Sequence, residues 1–274
     1  MNTFFTVMAP EASVEDLDPV VDFALDQNAH LLVAVLSVAV AIPTTVFPGV
    51  PSYGGEMAYE LAINDAKLIA ESLEGYLSDK NVFHTVVPVC QPILGIATEL
   101  SKVALYSDLV VLTANTQWTN ELYRRALDGV LFRAGLPTIV LPETMSGPLQ
   151  LKRLLLAWHP DNCAARAMRS VVPMLDEGSE LTIAIVDPTD IVYGPSPGDD
   201  FAKYLARKHI NVDVDTVTGN GRSVAQALKQ AAIDHNVDAV VMGAFGHSRM
   251  RETIFGGTTK EMLTEPPCPL FLCH

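Results

Sequence analysis

Short apolar runs alternate along the chain with longer amphipathic stretches. The runs are rich in Val, Leu and Ile, a composition typical of strands that are buried on both faces of a parallel sheet. The strands predicted in the first half are Phe4–Met8, Leu31–Val38, Val82–Val87, Leu109–Leu112 and Thr138–Leu141. Those predicted in the second half are Arg153–Trp158, Leu181–Val186, Asn211–Val217, Ala239–Met242 and Leu270–Cys273.

The stretches between the strands have the apolar spacing of helices. Ser13 can cap a helix whose apolar positions are Leu17, Val20, Val21 and Ala24. A second apolar stripe is formed by Leu61, Leu68, Ile69 and Leu73. Strands that alternate with helices form right-handed βαβ units, so we predict an α/β fold in which each half is a five-stranded, doubly wound parallel sheet.

The two halves repeat one plan. The segment "TFFTVMAPEAS" near the start resembles "RLLLAWHPDN" at 153–162, and "SDLVVLTAN" at 107–115 resembles "VDAVVMGAF" at 237–245. The final strands, "LPTIVLP" at 136–142 and "CPLFLCH" at 268–274, also correspond. An offset of about 130 to 150 residues is typical of a duplicated domain rather than a solenoid. We therefore predict two tandem domains, 1–146 and 147–274, joined by the linker "ETMSGPLQ".

Composition narrows the classes of function. Apolar residues make up 49% of the chain and the net charge is −14, which argues against a broad nucleic-acid or anionic-membrane surface. The first basic residue is Lys67, so the N-terminus lacks the positive region of a secretory signal. The apolar stretch Leu31–Ile42 is too short to span a bilayer. We expect a cytoplasmic protein without nucleic-acid or membrane partners.

The cysteines are scattered and show no CxxC spacing. Reduced thiols are expected rather than a zinc site or a disulfide framework. The four residues are Cys90, Cys163, Cys268 and Cys273.

A glycine-rich segment, "GAFGHSRMRETIFGG", follows the apolar run "DAVVM" near the end of the chain. In open α/β sheets ligands bind beyond the carboxyl ends of the strands, and a helix that starts near Thr258 would offer free N–H groups to an anion. Gly243 and Gly246 would let a base or ribose lie against the backbone. Gly256 and Gly257 would do the same for phosphates. The same glycines would equally serve tight turns and a close contact between helix and sheet.

Polar side chains of this segment could add to an anion site. Thr258 and Thr259 would supply hydroxyl donors, and Ser248 and Arg249 could reach phosphate oxygens. His247 could steady a phosphate or only hydrogen-bond within the loop. Glu252 could hold a magnesium-bound water or only pair with a neighbouring arginine.

The order Gly-x2-Gly-x9-Gly, followed by small or hydroxyl residues, resembles the ATP-binding signature of the universal stress protein family. The resemblance is carried by "GAFGHSRMRETIFGGTT" and "PPCPLFLCH", with "LLLAWHPDN" and "DAVVMGAFGHSR" in the family's order. It covers the second half in sequence and the first half at the level of the fold. The chain thus looks like a tandem member, with the Rossmann-like fold of the adenine nucleotide alpha hydrolase type that this implies.

The resemblance implies that the second half binds ATP or another adenine nucleotide, alone or with Mg²⁺. The strand ends would contact the adenine and ribose, Gly246 the ribose–phosphate turn, and Gly256, Gly257 and Thr258 the phosphates. The implied site residues are His159, Val186, Asp187, Met242, Gly243, Gly246, His247, Ser248, Arg249, Gly256, Gly257 and Thr258. Two positions depart from the family pattern: His159 replaces the usual Asp, and Gly257 replaces the usual Ser or Thr.

The first half lacks this glycine pattern. Thr113 and Thr116 stand where the second half has its first two glycines, and Trp118 and Tyr123 would fill space. We predict that this half binds no nucleotide in the family mode and instead pairs with the second half within the chain. The adjacent pair Arg124–Arg125 could form an anion site or a salt-bridged helix face.

Nothing in the sequence assigns catalytic residues. His159 and Asp161 could form a general-base pair, but Asp161 can equally cap the next helix. The chain has no GxxxxGK[ST] motif. We expect a nucleotide-binding regulatory protein of stress responses with at most slow ATP hydrolysis. Such a protein could form a homodimer and bind protein partners of unknown identity. The alternatives are a ligand-free interaction scaffold and an adenylating enzyme, although "AWHPDN" lacks the glycines of an SGGxDS loop.

Overall fold

The chain folds into two compact units. The computed structural model describes residues 1–39, 53–114, 120–143, 145, 148–175, 178–188, 198–244 and 257–274. The contacts between residues divide the chain into Met1–Leu136 and Pro137–His274. The domain boundary that the sequence suggested, between residues 146 and 147, stays a prediction.

The first unit is a parallel sheet flanked by helices. Its strands are β1 (Thr3–Met8), β2 (His30–Val38), β3 (His84–Gln91) and β4 (Leu109–Ala114), in the order β3-β2-β1-β4. Its helices are α1 (Asp18–Asp26), α2 (Tyr53–Asp79), α3 (Ile96–Val103) and α4 (Asn120–Leu127). Short 3-10 turns lie at Val14–Leu17 and Ala104–Tyr106, and a π-helical turn follows α4 at Asp128–Arg133.

The second unit repeats this plan with two additional strands. Its strands are β5 (Thr138–Pro142), β6 (Arg153–Ala157), β7 (Glu180–Val186), β8 (Asn211–Val217), β9 (Ala239–Gly243) and β10 (Leu270–Cys273). They are ordered β5-β10-β9-β6-β7-β8. Its helices are α5 (Asn162–Val171), α6 (Asp199–Ala206), α7 (Val224–Asp234) and α8 (Gly257–Thr264), with a 3-10 turn at Val172–Met174.

One strand pairing is antiparallel, and it joins the last strands of the two halves defined from the sequence. β5 runs antiparallel to β10, with Val140 opposite Leu270 and Ile139 opposite Phe271. The other strand pairs described within each unit are parallel. By pairing with β10, β5 satisfies backbone groups along an edge that would otherwise need another cover. The predicted fold class, tandem Rossmann-like α/β, is confirmed.

Most predicted strands lie within a residue or two of the observed ones, but β3 is displaced. It spans His84–Gln91 rather than Val82–Val87. Asn81 has a left-handed backbone, with φ of 58°, so the chain is still turning just before Val82. Pro88 is tolerated inside this strand because, among the described residues, β3 pairs on one side only, with β2.

Helix α1 has the predicted core face. Its apolar positions are buried, and Phe23 stacks on Phe4 of β1 with ring centroids 5.3 Å apart. Ser13 is the N-cap of the 3-10 turn that leads into α1, and the Asp16 carboxylate accepts a hydrogen bond of 2.9 Å from the Ser13 N–H. The buried positions are Leu17, Val20, Val21 and Ala24.

The apolar stripe predicted on α2 is wrong. Leu73 is buried, but Leu61 and Leu68 are 58% and 65% exposed. At 3.6 residues per turn Leu73 lies about 140° around the axis from Leu68, so the two cannot share one face. The core face consists of Ala66, Ala70, Leu73 and Leu77. Although α2 has 27 residues, neither it nor any other described helix is long and apolar enough to cross a membrane.

An aspartate stands before β4 and another before β9, and both have the same structural role. The Asp108 carboxylate accepts a hydrogen bond of 2.8 Å from the N–H of Thr3 at the start of β1. The Asp238 carboxylate accepts from the N–H groups of Lys152 (3.1 Å) and Arg153 (2.8 Å) at the start of β6. Each aspartate therefore fixes the register of the two neighbouring central strands of its unit.

We expect Asp238→Ala to lower the free energy of unfolding by about 1–3 kcal/mol, because it leaves two strand-end N–H groups without their acceptor. Asp108→Ala should cost less, since one exposed hydrogen bond is lost. Urea unfolding followed by circular dichroism measures both effects, with the exposed Asp213→Ala as the control. Losses no larger than that of the control would show that these aspartates do not hold the strand register.

Candidate functional site

The carboxyl ends of the parallel strands of the second unit lie at one edge of its sheet. His159 follows β6, Val186 ends β7, and Met242 and Gly243 end β9. Helix α8, which follows β9 in the chain, begins at Gly257 and Thr258. The remaining predicted site residues, Gly246, His247, Ser248, Arg249 and Gly256, lie outside the described residues, as does Glu252.

A tight turn after β6 carries His159 into the N-terminus of α5. The Asp161 N–H donates to the His159 carbonyl over 2.7 Å. The Asp161 carboxylate accepts from the Ala164 N–H at 2.9 Å, so it caps α5, one of the two roles left open by the sequence. His159 Nδ1 lies 3.5 Å from Asp161 Oδ2. Asp161 thus serves the helix and orients the histidine at the same time.

The residue before His159 belongs to an aromatic stack that the sequence analysis missed. Trp158 stacks on Phe201 of α6, with ring centroids 4.1 Å apart and an angle of 14° between the planes. The ring centroids of Phe201 and Tyr204 are 5.7 Å apart. This stack ties the end of β6 to α6 and thereby fixes the backbone that leads to His159. In the sequence, the three-residue spacing of Phe201 and Tyr204, which places both on one face of a helix, could have indicated this stack.

Asp187 holds the ends of two strands together. Its carboxylate accepts a hydrogen bond of 3.0 Å from the Gly219 N–H, and its own N–H donates to the Val217 carbonyl over 3.0 Å. Its φ of 42° is in the left-handed region, which Asp tolerates better than most residues. A side chain at Gly219 would collide with this carboxylate. Val186, just before it, is half-buried.

Gly243 is a glycine because α5 crosses it closely. A Cβ at this position would lie 2.6 Å from the Ala164 nitrogen and 2.8 Å from the Cys163 Cβ. Both distances are shorter than van der Waals contact, so no side chain fits. The close contact between helix and sheet, one of the two interpretations of these glycines, is therefore what the structure shows at Gly243. Met242, before it, is buried between β6 and β10.

Among the described residues, none crowds the start of α8. Gly257 is exposed, a Cβ there would meet no described atom within 4 Å, and Thr258 is half-buried. The helix is held by Glu261, whose two carboxylate oxygens each lie 2.8 Å from Ser223 Oγ at the N-cap of α7. The first N–H groups of a helix have no partner within it, and the helix dipole favours negative charge there. This end of α8 can therefore accept an anion.

Burial makes the thiols of the second unit weakly reactive. All four cysteines are free, as predicted. Burial raises the pKa of Cys163 and Cys273, and it raises that of Cys268 to about 12. A raised pKa keeps these groups as thiols at neutral pH, and thiols are weak nucleophiles and metal ligands. In the part of the chain that the structure describes, no group of His, Cys, Asp and Glu side chains could hold a metal ion.

The corresponding edge of the first unit is built differently. Thr113 lies near the end of β4, whereas Thr116 and Trp118 are outside the described ranges. The Tyr123 hydroxyl of α4 is buried, which raises its pKa. Arg124 and Arg125 lie 3.4 Å and 2.8 Å from the Glu121 carboxylate. Of the two interpretations of this arginine pair, the salt-bridged helix face is confirmed.

We expect Gly243→Ala to lower the free energy of unfolding by about 1–3 kcal/mol, because the new methyl group must displace the first turn of α5. Gly257→Ala is the matched control. It should change stability by less than ~0.5 kcal/mol, since the space is open. Denaturant unfolding of both variants without added ligand measures the difference. Equal stabilities would mean that α5 does not require the glycine.

The comparisons with known proteins agree with this geometry. Residues 150–274 match the model of the universal stress protein family. Over its whole length the chain resembles a universal stress protein from Archaeoglobus fulgidus, with a TM-score of 0.72, 16% sequence identity, and coverage of 99% of this chain and 96% of that one. A putative universal stress protein from Pseudomonas aeruginosa gives a TM-score of 0.58 at 11% identity, with coverage of 100% and 93%.

At these identities the structural similarities establish the fold alone. No curated protein matches the sequence significantly. The family assignment depends on the match over residues 150–274, which contain the edge described above. Residues 150–274 are therefore similar to the universal stress protein family, and the fold of the chain is that of universal stress proteins of similar length.

Proposed function

We propose that the second unit binds ATP or another adenine nucleotide, and that the chain acts as a nucleotide-binding regulatory protein of stress responses. The observation that carries this proposal is the N-terminus of α8, at Gly257 and Thr258, which no described residue crowds and which lies at the carboxyl edge of the sheet. This helix start lies in the segment that matches the family.

The phosphates would lie at the start of α8. Its first N–H groups and the Thr258 hydroxyl offer donors, and the absence of a side chain at Gly257 leaves room for phosphate oxygens. Gly246, Ser248, Arg249 and Gly256 remain proposed phosphate and ribose contacts on sequence grounds. Mg²⁺, where present, would neutralise phosphate charge.

The base would lie against the ends of β7 and β9. Val186 offers a half-buried apolar side chain there, and Met242 lines the strand end beneath it. His159 and Asp187 are the polar groups beside them. Gly243 contributes by allowing α5 to approach, which places the His159 turn at this edge, and its backbone is the proposed contact with the base.

We propose that the nucleotide is held rather than cleaved. A hydrolytic site needs a carboxylate or comparable group to position the attacking water. The two carboxylates described at this edge, Asp161 and Asp187, already accept hydrogen bonds from the N–H groups of Ala164 and Gly219. Both are therefore engaged in fixing the backbone. A protein that holds ATP without turnover can report its concentration to partners.

The first unit is proposed to bind no nucleotide. Its α4 carries the buried Tyr123 hydroxyl and the ion-paired arginines in place of an open glycine segment. Pairing of the two units within the chain, and of two chains in a homodimer, remain proposals that the sequence suggested.

We expect Gly257→Asp to weaken ATP binding at least about tenfold, because a carboxylate at the start of α8 repels the phosphates. The same carboxylate should leave folding intact or stabilise it by ~0.3–1 kcal/mol through the helix dipole. Gly257→Asn, which has the same shape without the charge, is the matched control. Isothermal titration with Mg·ATP and denaturant unfolding give the two readouts.

The two readouts separate binding from stability. Loss of affinity in the aspartate variant, with stability kept and most affinity kept in the asparagine variant, supports phosphate binding at α8. Equal affinity in wild type and Gly257→Asp would place the phosphates elsewhere, or show that none bind.

Binding of ATP should also raise the thermal stability of the whole chain. At a ligand concentration 100 times its dissociation constant the expected stabilisation is ~2.7 kcal/mol. Differential scanning fluorimetry with ATP, ADP, AMP and GTP, each with Mg²⁺ or with a chelator, would also rank the adenine and phosphate requirements. A ligand-free scaffold would show no shift with any of them. Release of phosphate or pyrophosphate at a rate above one turnover per minute would contradict the proposal that the nucleotide is only held.

A further inference from the structure

Helix α2 carries an exposed apolar stripe on the side opposite its core face. We define the α2 outer stripe as Met57, Leu61 and Leu68, which are 63%, 58% and 65% exposed. At 100° per residue the three lie within about 40° of one another around the helix axis, and they extend about 16 Å along it. The buried residues Ala66, Ala70, Leu73 and Leu77 lie on the opposite side. Single exposed apolar residues are common, but three on one helical face form a stripe that another helix can cover.

Contacts with the core and with α1 fix the orientation of α2, so the stripe stays exposed at the surface. Besides its core face, the helix is tied to α1 through Tyr76, whose hydroxyl donates to Asp18 Oδ1 over 2.5 Å. Lys80 lies 3.1 Å from the same carboxylate oxygen. Rotating the stripe inward would break these contacts and expose Leu73 and Leu77.

Carboxylates border the stripe on both sides. Glu60 and Glu71 lie on one side of it around the axis, and Asp65 lies on the other. All three are exposed, and none takes part in the ion pairs found among the described residues. The whole helix has six carboxylates and one lysine. Residues 1–136 contain 16 acidic and six basic residues.

An apolar stripe with carboxylates on both sides is complementary to one kind of surface. A helix that places Leu, Ile or Met along one face, with Lys or Arg on both sides, would cover the stripe and neutralise the carboxylates together. We propose that the α2 outer stripe binds a basic amphipathic helix of a partner protein. This surface belongs to the first unit, so the inference goes beyond the nucleotide binding proposed for the second.

A second copy of the chain is a poor occupant of this face. A symmetric pairing of two α2 helices would bring the acidic borders of both together, and like charges across an interface oppose association. An anionic membrane is opposed by the same charges. A basic helix gains from both the apolar and the charged parts of the surface.

The test uses the full-length chain and a labelled peptide of about 18 residues made of Leu and Lys in helical periodicity, long enough to cover the stripe. Fluorescence anisotropy measures binding. Two control peptides separate the contributions: a Leu/Glu peptide keeps the apolar face and reverses the charge, and a Lys/Ser peptide keeps the charge without an apolar face. Wild type should bind the Leu/Lys peptide at least about tenfold more tightly than either control.

Three variants locate the site. Leu61→Gln combined with Leu68→Gln preserves charge and helix propensity, and it should weaken binding of the Leu/Lys peptide at least about tenfold. Glu60→Gln, Asp65→Asn and Glu71→Gln together should also weaken it and reduce its dependence on salt. Ile233→Gln removes a side chain with 63% exposure on α7 of the second unit and should have no effect. Unchanged unfolding midpoints verify that the variants are folded.

Several results would overturn the proposal. Wild-type affinity in the double leucine variant would show that the peptide binds through charge alone. Equal binding of the Leu/Glu peptide would remove the requirement for a basic partner. Self-association that the double leucine variant abolishes, seen in sedimentation of the chain alone, would make a second copy the occupant. Hydrogen exchange that shows peptide protection away from residues 57–71 would place the site elsewhere.

Discussion

Parallel strands cannot be joined by tight turns, so each strand must be followed by an element that returns the chain to the same end of the sheet. Much of this molecule follows from that constraint. It collects the carboxyl ends of β6, β7 and β9 at one edge and brings the N-termini of α5 and α8 to the same edge. It also presses α5 against β9 so closely that Gly243 can carry no side chain. The ends of both central strands are fixed in addition by the aspartates that precede β4 and β9.

The fold could be predicted from the sequence because both its strands and its repeat are local patterns. Continuous Val, Leu and Ile runs located nearly every strand, and the matching segments of the two halves indicated the duplication. Two features were missed, and one of them depends on partners distant in the chain. The antiparallel pairing of β5 with β10 joins residues that are far apart in sequence. The displacement of β3 reflects the left-handed turn at Asn81, which apolar periodicity does not report.

Helix α2 shows a different limit of sequence reasoning. The predicted stripe was based on its large apolar residues. The core face instead consists of two alanines and two leucines at regular helical spacing. Alanine is a weak apolar signal although it packs closely against a sheet. A stripe assigned to the core by residue type alone was therefore placed on the wrong side of the helix. The error is informative, since Leu61 and Leu68 must then be explained at the surface.

The candidate site was predicted in part. The sequence located the strand ends and the start of α8, but it could not tell that Gly243 accommodates a helix, because the contacting residues, Cys163 and Ala164, lie far away in the chain. Nor could it tell that Asp187 would be committed to the Gly219 N–H. Polar groups at this edge are largely used to hold the backbone, which suits a site that retains its ligand more than one that transforms it.

The place of β5 has a consequence for how this protein can be divided. The family match begins at residue 150, whereas the second compact unit begins at Pro137 and includes β5. A fragment cut at the start of the match would leave one side of β10 with unpaired main-chain groups, bordered by Phe271 and Leu272. Such an edge invites aggregation or the capture of a foreign strand. The smallest piece fit for isolation should therefore retain the strand that sequence similarity leaves out.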